Sequence, residues 1–241
     1  MSAENALGLE MTWRLTAQGK VGITNNSTYD AWTPSRAYMH YRGGVRILTE
    51  TASANLASPI TIPFDSLRPG RGYDSKVSSW NFLVPWQGGT WTIGNIVDYQ
   101  TSASWAMLEA SAPMRTTWLE NFARMADRAV AGNRAAGRED WPAAFLIPMQ
   151  QPDQAPLRTL LRILQRGQVE IRRATSPFIA NRVRFSAGTY VVLTNQPYGA
   201  FAKALLENQH YPDLHEYPGG PPKAPYDVTA QTLPLLMGIG A

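Results

Sequence analysis

One stretch in the second half of the chain restricts the fold most: a short apolar run followed by a segment of helical period. Residues 143–147 indicate a buried strand. Residues 154–166 place leucines at i, i+3, i+4 and i+7, and Gly167 ends the pattern. Residues 169–172 indicate a second strand. Strand, helix and strand in this order are typical of α/β proteins, so we expect a small, mostly parallel sheet with flanking helices.

Other periodic segments predict further elements on both sides of this unit. We expect helices at 3–18, 92–110, 114–131, 198–208 and near 227–237. We expect a strand at 44–49, extended pieces at 178–185 and 189–193, a long loop at 20–42 and little regular structure over 51–90. The small, polar residues 131–142 form the best candidate linker, which predicts one domain at 1–137 and another at 138–241.

Glu50 follows the apolar run of the predicted strand and faces a long loop that carries tyrosines. Such a glutamate is most often a solvated surface residue. It is also a candidate general base, although a lone carboxylate needs an electrophile or a metal-bound water to hydrolyse anything.

The sequence contains no motif for most other catalytic chemistries. Cysteine is absent, and so are the GxSxG elbow and the phosphate-binding glycine loops. The spacing of His210, Asp213 and His215 is a weaker candidate for a metal site in a loop rich in proline and glycine.

Charge and hydropathy restrict the partners. The net charge of +4 is mild, and aromatic residues do not alternate with the arginines, so we expect no nucleic-acid partner. No apolar run approaches the roughly 18 residues that span a bilayer, and no signal peptide is recognisable, so we expect no membrane partner.

Several motifs together resemble a known family. The run GGVRILTE at 43–50 follows an S-x-Y-D-x-W loop. The segments SLRPGRGYDSKVSSWNFLVPWQGGTW, IVDYQTSASWAMLE and HYPDLHEYPGGPPKAPYDVTAQTLPLLMG follow later. The set resembles long bacterial zinc carboxypeptidases of the carboxypeptidase A type. Those proteins carry an additional α/β domain similar to class I glutamine amidotransferases.

The resemblance implies roles for three residues. Glu50 matches the catalytic glutamate, which acts as general base and acid in that family. Tyr29 matches the loop tyrosine that closes over the C-terminal end of the peptide substrate, and Tyr38 is the weaker alternative. The family binds zinc through an HxxE pair and a later histidine, which have no match here, so we expect no metal ligands and no bound zinc in this chain.

The resemblance therefore predicts a fragment of a metallocarboxypeptidase, inactive alone, whose zinc site lies in an upstream half. Such a fragment leaves apolar surface and an open strand edge exposed. The family is typically exported. The alternative is a non-enzymatic α/β binding or interaction module formed by residues 138–241.

Overall fold

The structure is a computed structural model that describes residues 2–27, 38–55, 57–133, 137–210, 212–223 and 232–241. Its helices are α1 (Ser2–Ala17), α2 (Tyr38–Tyr41), α3 (Ile93–Ser111), α4 (Arg115–Ala131), α5 (Gln154–Arg166), α6 (Gly199–Leu206) and α7 (Leu233–Leu236). Its strands are β1 (Ile60–Pro63), β2 (Gly88–Trp91), β3 (Ala144–Ile147), β4 (Arg172–Arg173), β5 (Phe178–Ala180), β6 (Val183–Phe185) and β7 (Tyr190–Leu193).

The chain divides into two compact units. The first comprises Met1–Tyr29 and Val45–Trp118, and the second comprises Asp30–Gly44 and Leu119–Ala241. These two units describe which parts of the chain pack together. The predicted boundary between residues 137 and 138 concerns which kind of domain each part of the chain represents, so it stays a prediction.

In the first unit, the helix pair α1 and α3 forms the core. Met11 and Leu15 of α1 are buried in one cluster with Ala103 and Ala106 of α3. The small alanines let the two helices approach closely, since interhelical distance depends on the side chains at the contact.

Two polar features fix the ends of this helix pair. Arg14 bridges Glu10 at 2.8 Å within α1 and Glu109 at 2.6 Å in α3. At the start of α3, the Thr92 hydroxyl accepts the amide N–H of Asn95 at 3.2 Å, and the Asn95 side chain accepts the amide N–H of Thr92 at 2.9 Å. This reciprocal cap satisfies helix-end amides that have no partner within the helix.

The second unit has a three-stranded sheet covered by an amphipathic helix. The strand order is β3-β7-β4. Leu157, Leu160 and Leu164 of α5 are fully buried in one cluster with Val192 of β7. The predicted helix at 154–166 is confirmed, and its leucine stripe forms the centre of the core.

The predicted mostly parallel sheet is wrong. β7 pairs antiparallel with β3, Ala144 opposite Leu193, and antiparallel with β4, Arg172 opposite Val191. The crossover through α5 does place β3 and β4 in the same direction, but the later strand β7 enters between them in the opposite direction. Mixed α/β is therefore correct, with a sheet of the split β-α-β type.

The predicted strand at 44–49 is also wrong. Residues 44–50 have no regular secondary structure, and Ile47 packs against the cluster between α1 and α3. A strand needs a neighbour to share its backbone hydrogen bonds, and none pairs with this segment among the described residues. The expected open strand edge is consequently not formed there.

The other helix predictions at 3–18, 92–110, 114–131 and 198–208 are confirmed to within two residues at each end. Only Arg172–Arg173 forms a strand near the one predicted at 169–172, and α7 covers only the end of the helix predicted near 227–237. Residues 224–231 lie outside the described part of the chain. The antiparallel pair β1–β2, with Ile60 opposite Trp91, was not predicted.

Replacing Leu160 by alanine tests the core of the second unit. The side chain is fully buried, so Leu160→Ala should lower the free energy of unfolding by about 2–5 kcal/mol. The control is Leu119→Ala, whose side chain is 68% exposed and whose effect should stay within about 0.5 kcal/mol. Denaturant unfolding measures both, and equal losses would contradict the assignment of this core.

Alanine substitutions at two glycines should change the stability of the chain in opposite directions. A Cβ at Gly199 would lie 1.8 Å from the Thr194 carbonyl oxygen, which is backbone and cannot turn aside. Gly199→Ala should therefore cost about 3 kcal/mol of stability. At Gly8, within α1, a Cβ meets nothing within 4 Å, so Gly8→Ala should stabilise by about 0.5–1 kcal/mol. Thermal unfolding of both variants provides the measurement.

Candidate functional site

Glu50 lies in the first unit, at the end of the irregular segment that packs on α3. Thr49 and Thr51 on either side both hydrogen-bond to Gln100 of α3, the first at 3.1 Å. Glu50 itself is exposed. The Gln100 side chain of α3 thus hydrogen-bonds the side chains of both residues that flank Glu50.

A shallow depression of about 280 Å³ on the surface of α3 adjoins this segment. The side chains that line it share one face of the helix: Gln100, Thr101, Ser104, Trp105 and Leu108. It shares Gln100 with the Glu50 segment. None of the five side chains ionises near neutral pH, so the depression supplies no general acid or base.

The depression was not predicted from the sequence. The available signal was the period of α3: Ala103 and Met107 pack inward, which turns Trp105 and Leu108 outward on the same helix.

The two tyrosine candidates meet different outcomes. Tyr29 lies outside the described residues. Tyr38 lies in the second unit, where its ring packs edge-on against Phe201 at 5.3 Å between centroids. Since Glu50 belongs to the first unit, neither unit by itself brings Glu50 and Tyr38 together.

Arg42 fastens the segment that carries Tyr38. Its guanidinium lies 3.6 Å from the centre of the Tyr198 ring and donates to the Gly167 carbonyl and, at 2.9 Å, to the Gln168 side chain. Gly167 caps the C-terminus of α5, where a cation complements the helix dipole. These contacts hold the segment that carries Tyr38 against the C-terminal end of α5.

Tyr41, from the same segment, packs against the buried cluster of the second unit. Burial, and secondarily the Glu207 carboxylate, raises the pKa of Tyr41 above its usual range. Its phenol stays neutral well beyond physiological pH, so it contributes no charge to a site.

The weaker metal candidate, His210 with Asp213 and His215, is not assembled. The ring nitrogens of His215 lie 3.0 Å from an Asp213 oxygen and 2.6 Å from the Gly220 carbonyl. Within the described ranges, no three side chains of histidine, cysteine, aspartate or glutamate converge on one point. These residues do not fit a catalytic zinc, which needs three protein ligands.

Replacing Arg42 tests whether the Tyr38 segment is held structurally. Arg42→Ala should lower the stability of the chain by about 1–3 kcal/mol, because it removes two hydrogen bonds and a cation–π contact. Arg42→Lys should recover little, since an ammonium cannot reproduce the planar fork. Arg158→Ala, an exposed arginine of the same unit, serves as control in denaturant unfolding. Full recovery by lysine would contradict the role of the fork.

Comparison of the chain with known protein families, curated proteins and solved structures finds no match. The resemblance to zinc carboxypeptidases therefore stays a prediction from the residue motifs. None of the helices in the described part of the chain is long and apolar enough to cross a membrane.

Proposed function

We propose that the chain contributes Glu50 as general base to a zinc-dependent metallocarboxypeptidase, with the zinc ligands supplied from outside the described residues. The observation that carries the proposal is the fixed position of Glu50, exposed between two threonines that both bond to Gln100. A general base needs a fixed backbone and access to the proton it removes.

Glu50 alone does not make a hydrolase. A carboxylate removes a proton from water but supplies no electrophile to polarise a peptide carbonyl. Among the described residues no three candidate ligands converge, which supports the proposal that the chain by itself hydrolyses peptides negligibly. The C-terminal end of a peptide is the proposed substrate, with Tyr29 or Tyr38 closing over it.

Exposed apolar surface in the first unit supports the need for a further segment. Large apolar side chains face solvent on both core helices: Leu9, Trp13, Ile93, Val97, Trp105 and Leu108. Trp13 and Trp105 are 63% and 61% exposed. Exposed apolar patches on folded proteins commonly mark a surface that another chain or segment covers.

A non-enzymatic interaction module is the second candidate. The fully buried members of the second unit's cluster run from Ile147 to Ile239, within residues 138–241, and Tyr41 from outside that range packs against them. The position of these buried residues supports the predicted domain at 138–241, which we propose is similar to glutamine amidotransferases. A protease-resistant core beginning near residue 138 would favour this candidate.

Zinc content tests the first candidate. After equilibration with zinc and removal of free metal, the purified chain should retain less than about a tenth of an equivalent, because no three candidate ligands converge among its described residues. Metal analysis gives the number. One full equivalent, lost in His210→Ala or His215→Ala, would contradict the proposal and place a metal site in the C-terminal loop.

Co-expression with a segment that supplies the HxxE pair and the third histidine gives the positive arm. Carboxypeptidase activity should appear, and Glu50→Gln should lower kcat by about 10²–10⁴-fold with zinc content unchanged. The control is Glu120→Gln, an exposed glutamate of α4. Full activity in Glu50→Gln would remove Glu50 from the mechanism.

A further inference from the structure

The three-stranded sheet of the second unit has two edges of different character. At one edge, β4 has only two residues, Arg172 and Arg173, and both are exposed. At the other edge, β3 is longer and apolar, and residues 142–149 contain no charged side chain. Short strands and exposed charges are devices by which proteins prevent a sheet edge from pairing with another strand. β4 has both devices, whereas β3 carries no charge.

The backbone of β3 has a hydrogen-bonded neighbour on one side only. The Thr194 amide donates to the Ala143 carbonyl at 3.0 Å, and the pairing with β7 continues residue by residue to Ile147 opposite Tyr190. Hydrogen-bonded and non-hydrogen-bonded pairs alternate along antiparallel strands. Phe145 and Ile147 therefore direct their N–H and C=O groups to β7.

Ala144 and Leu146 consequently direct their backbone groups away from β7, to the open edge. Over the part of the chain that the structure describes, no backbone or side-chain group is hydrogen-bonded to either residue from that side. Both residues are only half-buried, so the edge is accessible. It offers one N–H donor and one C=O acceptor at each of these two residues.

This edge is complementary to itself. When two copies pair antiparallel about a two-fold axis at Phe145, Ala144 lies opposite Leu146 of the second copy, and every outward N–H group meets an outward C=O group. Pro142 and Pro148 have no N–H and are equally far along the chain from Phe145, so in this register they lie opposite each other. An axis at Ala144 or Leu146 instead leaves a C=O group opposite a proline. The prolines therefore limit the pairing to one register.

We propose that a second copy of this chain docks on the β3 edge, which joins the two sheets, three strands in each, into one continuous sheet. The two Phe145 side chains then lie side by side at the axis, where non-hydrogen-bonded partners approach most closely. Phe145 is only half-buried in a single copy, so the contact also removes apolar surface from water. β3 belongs to the second unit, and the proposal does not depend on the role of Glu50.

A strand from an unrelated chain is the alternative occupant of this edge. It satisfies the same backbone groups, because strand addition depends on main-chain hydrogen bonds. It does not account for the symmetric placement of Pro142 and Pro148 about Phe145, which matters only when the edge meets a copy of itself. A second copy is therefore the occupant that the sequence of this strand favours.

Sedimentation velocity of the full chain over a range of concentrations tests the proposal. The chain should form a concentration-dependent dimer. Ala144→Pro should raise the dissociation constant of the dimer about 10–100-fold, because it removes two of the four hydrogen bonds between the copies while β3 keeps its bonds to β7. Far-UV circular dichroism checks that the variant is folded. A chain that stays monomeric up to about 100 μM would overturn the proposal, and so would a dimer that Ala144→Pro leaves unchanged.

Cysteine cross-linking tests the register without a change in the backbone. The chain contains no cysteine, so a single introduced thiol is the only one present. Phe145→Cys places two thiols directly opposite each other at the axis, about 4.5 Å apart between Cα atoms, which a disulfide can span.

The matched control for cross-linking is Ala144→Cys on the same edge. Its two copies lie diagonally across the axis, about 7–8 Å apart, which is too far for a disulfide. Under mild oxidation, Phe145→Cys should form the covalent dimer at least about tenfold faster than this control. Equal rates in the two variants would overturn the proposal and would favour a strand of another chain as the occupant.

Discussion

Burial of the leucine face of α5 is the interaction on which the second unit depends. Leu157, Leu160 and Leu164 are almost wholly removed from water, and the same cluster takes in Val192 of the central strand and Phe201 of α6. At about 25 cal/mol per Å² of apolar surface, three such leucines contribute several kcal/mol, a large part of the net stability of a domain. The Arg42 fork adds a polar fastening at the C-terminus of the same helix.

The first unit rests on a thinner contact, the alanine-lined seam between α1 and α3. This contact matters because it positions the segment that ends at Glu50. Among the described residues that segment pairs with no strand, and it is held to the helix pair by Ile47 and to α3 by the hydrogen bonds of Gln100. The candidate base is therefore positioned by a helix pair rather than by a sheet. A change that separates α1 from α3 would displace Glu50 even if no neighbour of Glu50 were altered.

The sequence predicts the local elements well and their arrangement poorly, for a physical reason. The helices 154–166 and 92–110 were predictable because the spacing of their apolar residues reports directly on one face of a helix. The direction of the sheet was not predictable, because 169–172 and 189–193 both look extended and only non-local pairing decides which lies in the centre. The run 44–49 shows the same limit: Ile47 packs against the cluster between α1 and α3 without any strand pairing, and the expected strand does not form. The same limit applies to the candidate site. Glu50 was predictable from its residue type and its position after an apolar run, whereas the roles of Gln100 and Arg42 were not, because their partners are distant in sequence.

The place of β7 between β3 and β4 also decides the order in which the second unit can form. Ala144 meets its partner Leu193 only after α5, β4 and the hairpin have all been made. Until residue 193 has left the ribosome, β3 and β4 have no common neighbour, and the leucine face of α5 has no complete sheet to cover it. Long-range closure of this kind slows folding and extends the time during which strand edges are exposed. The nascent chain is thus most vulnerable to misassembly in the interval between synthesis of α5 and arrival of its central strand.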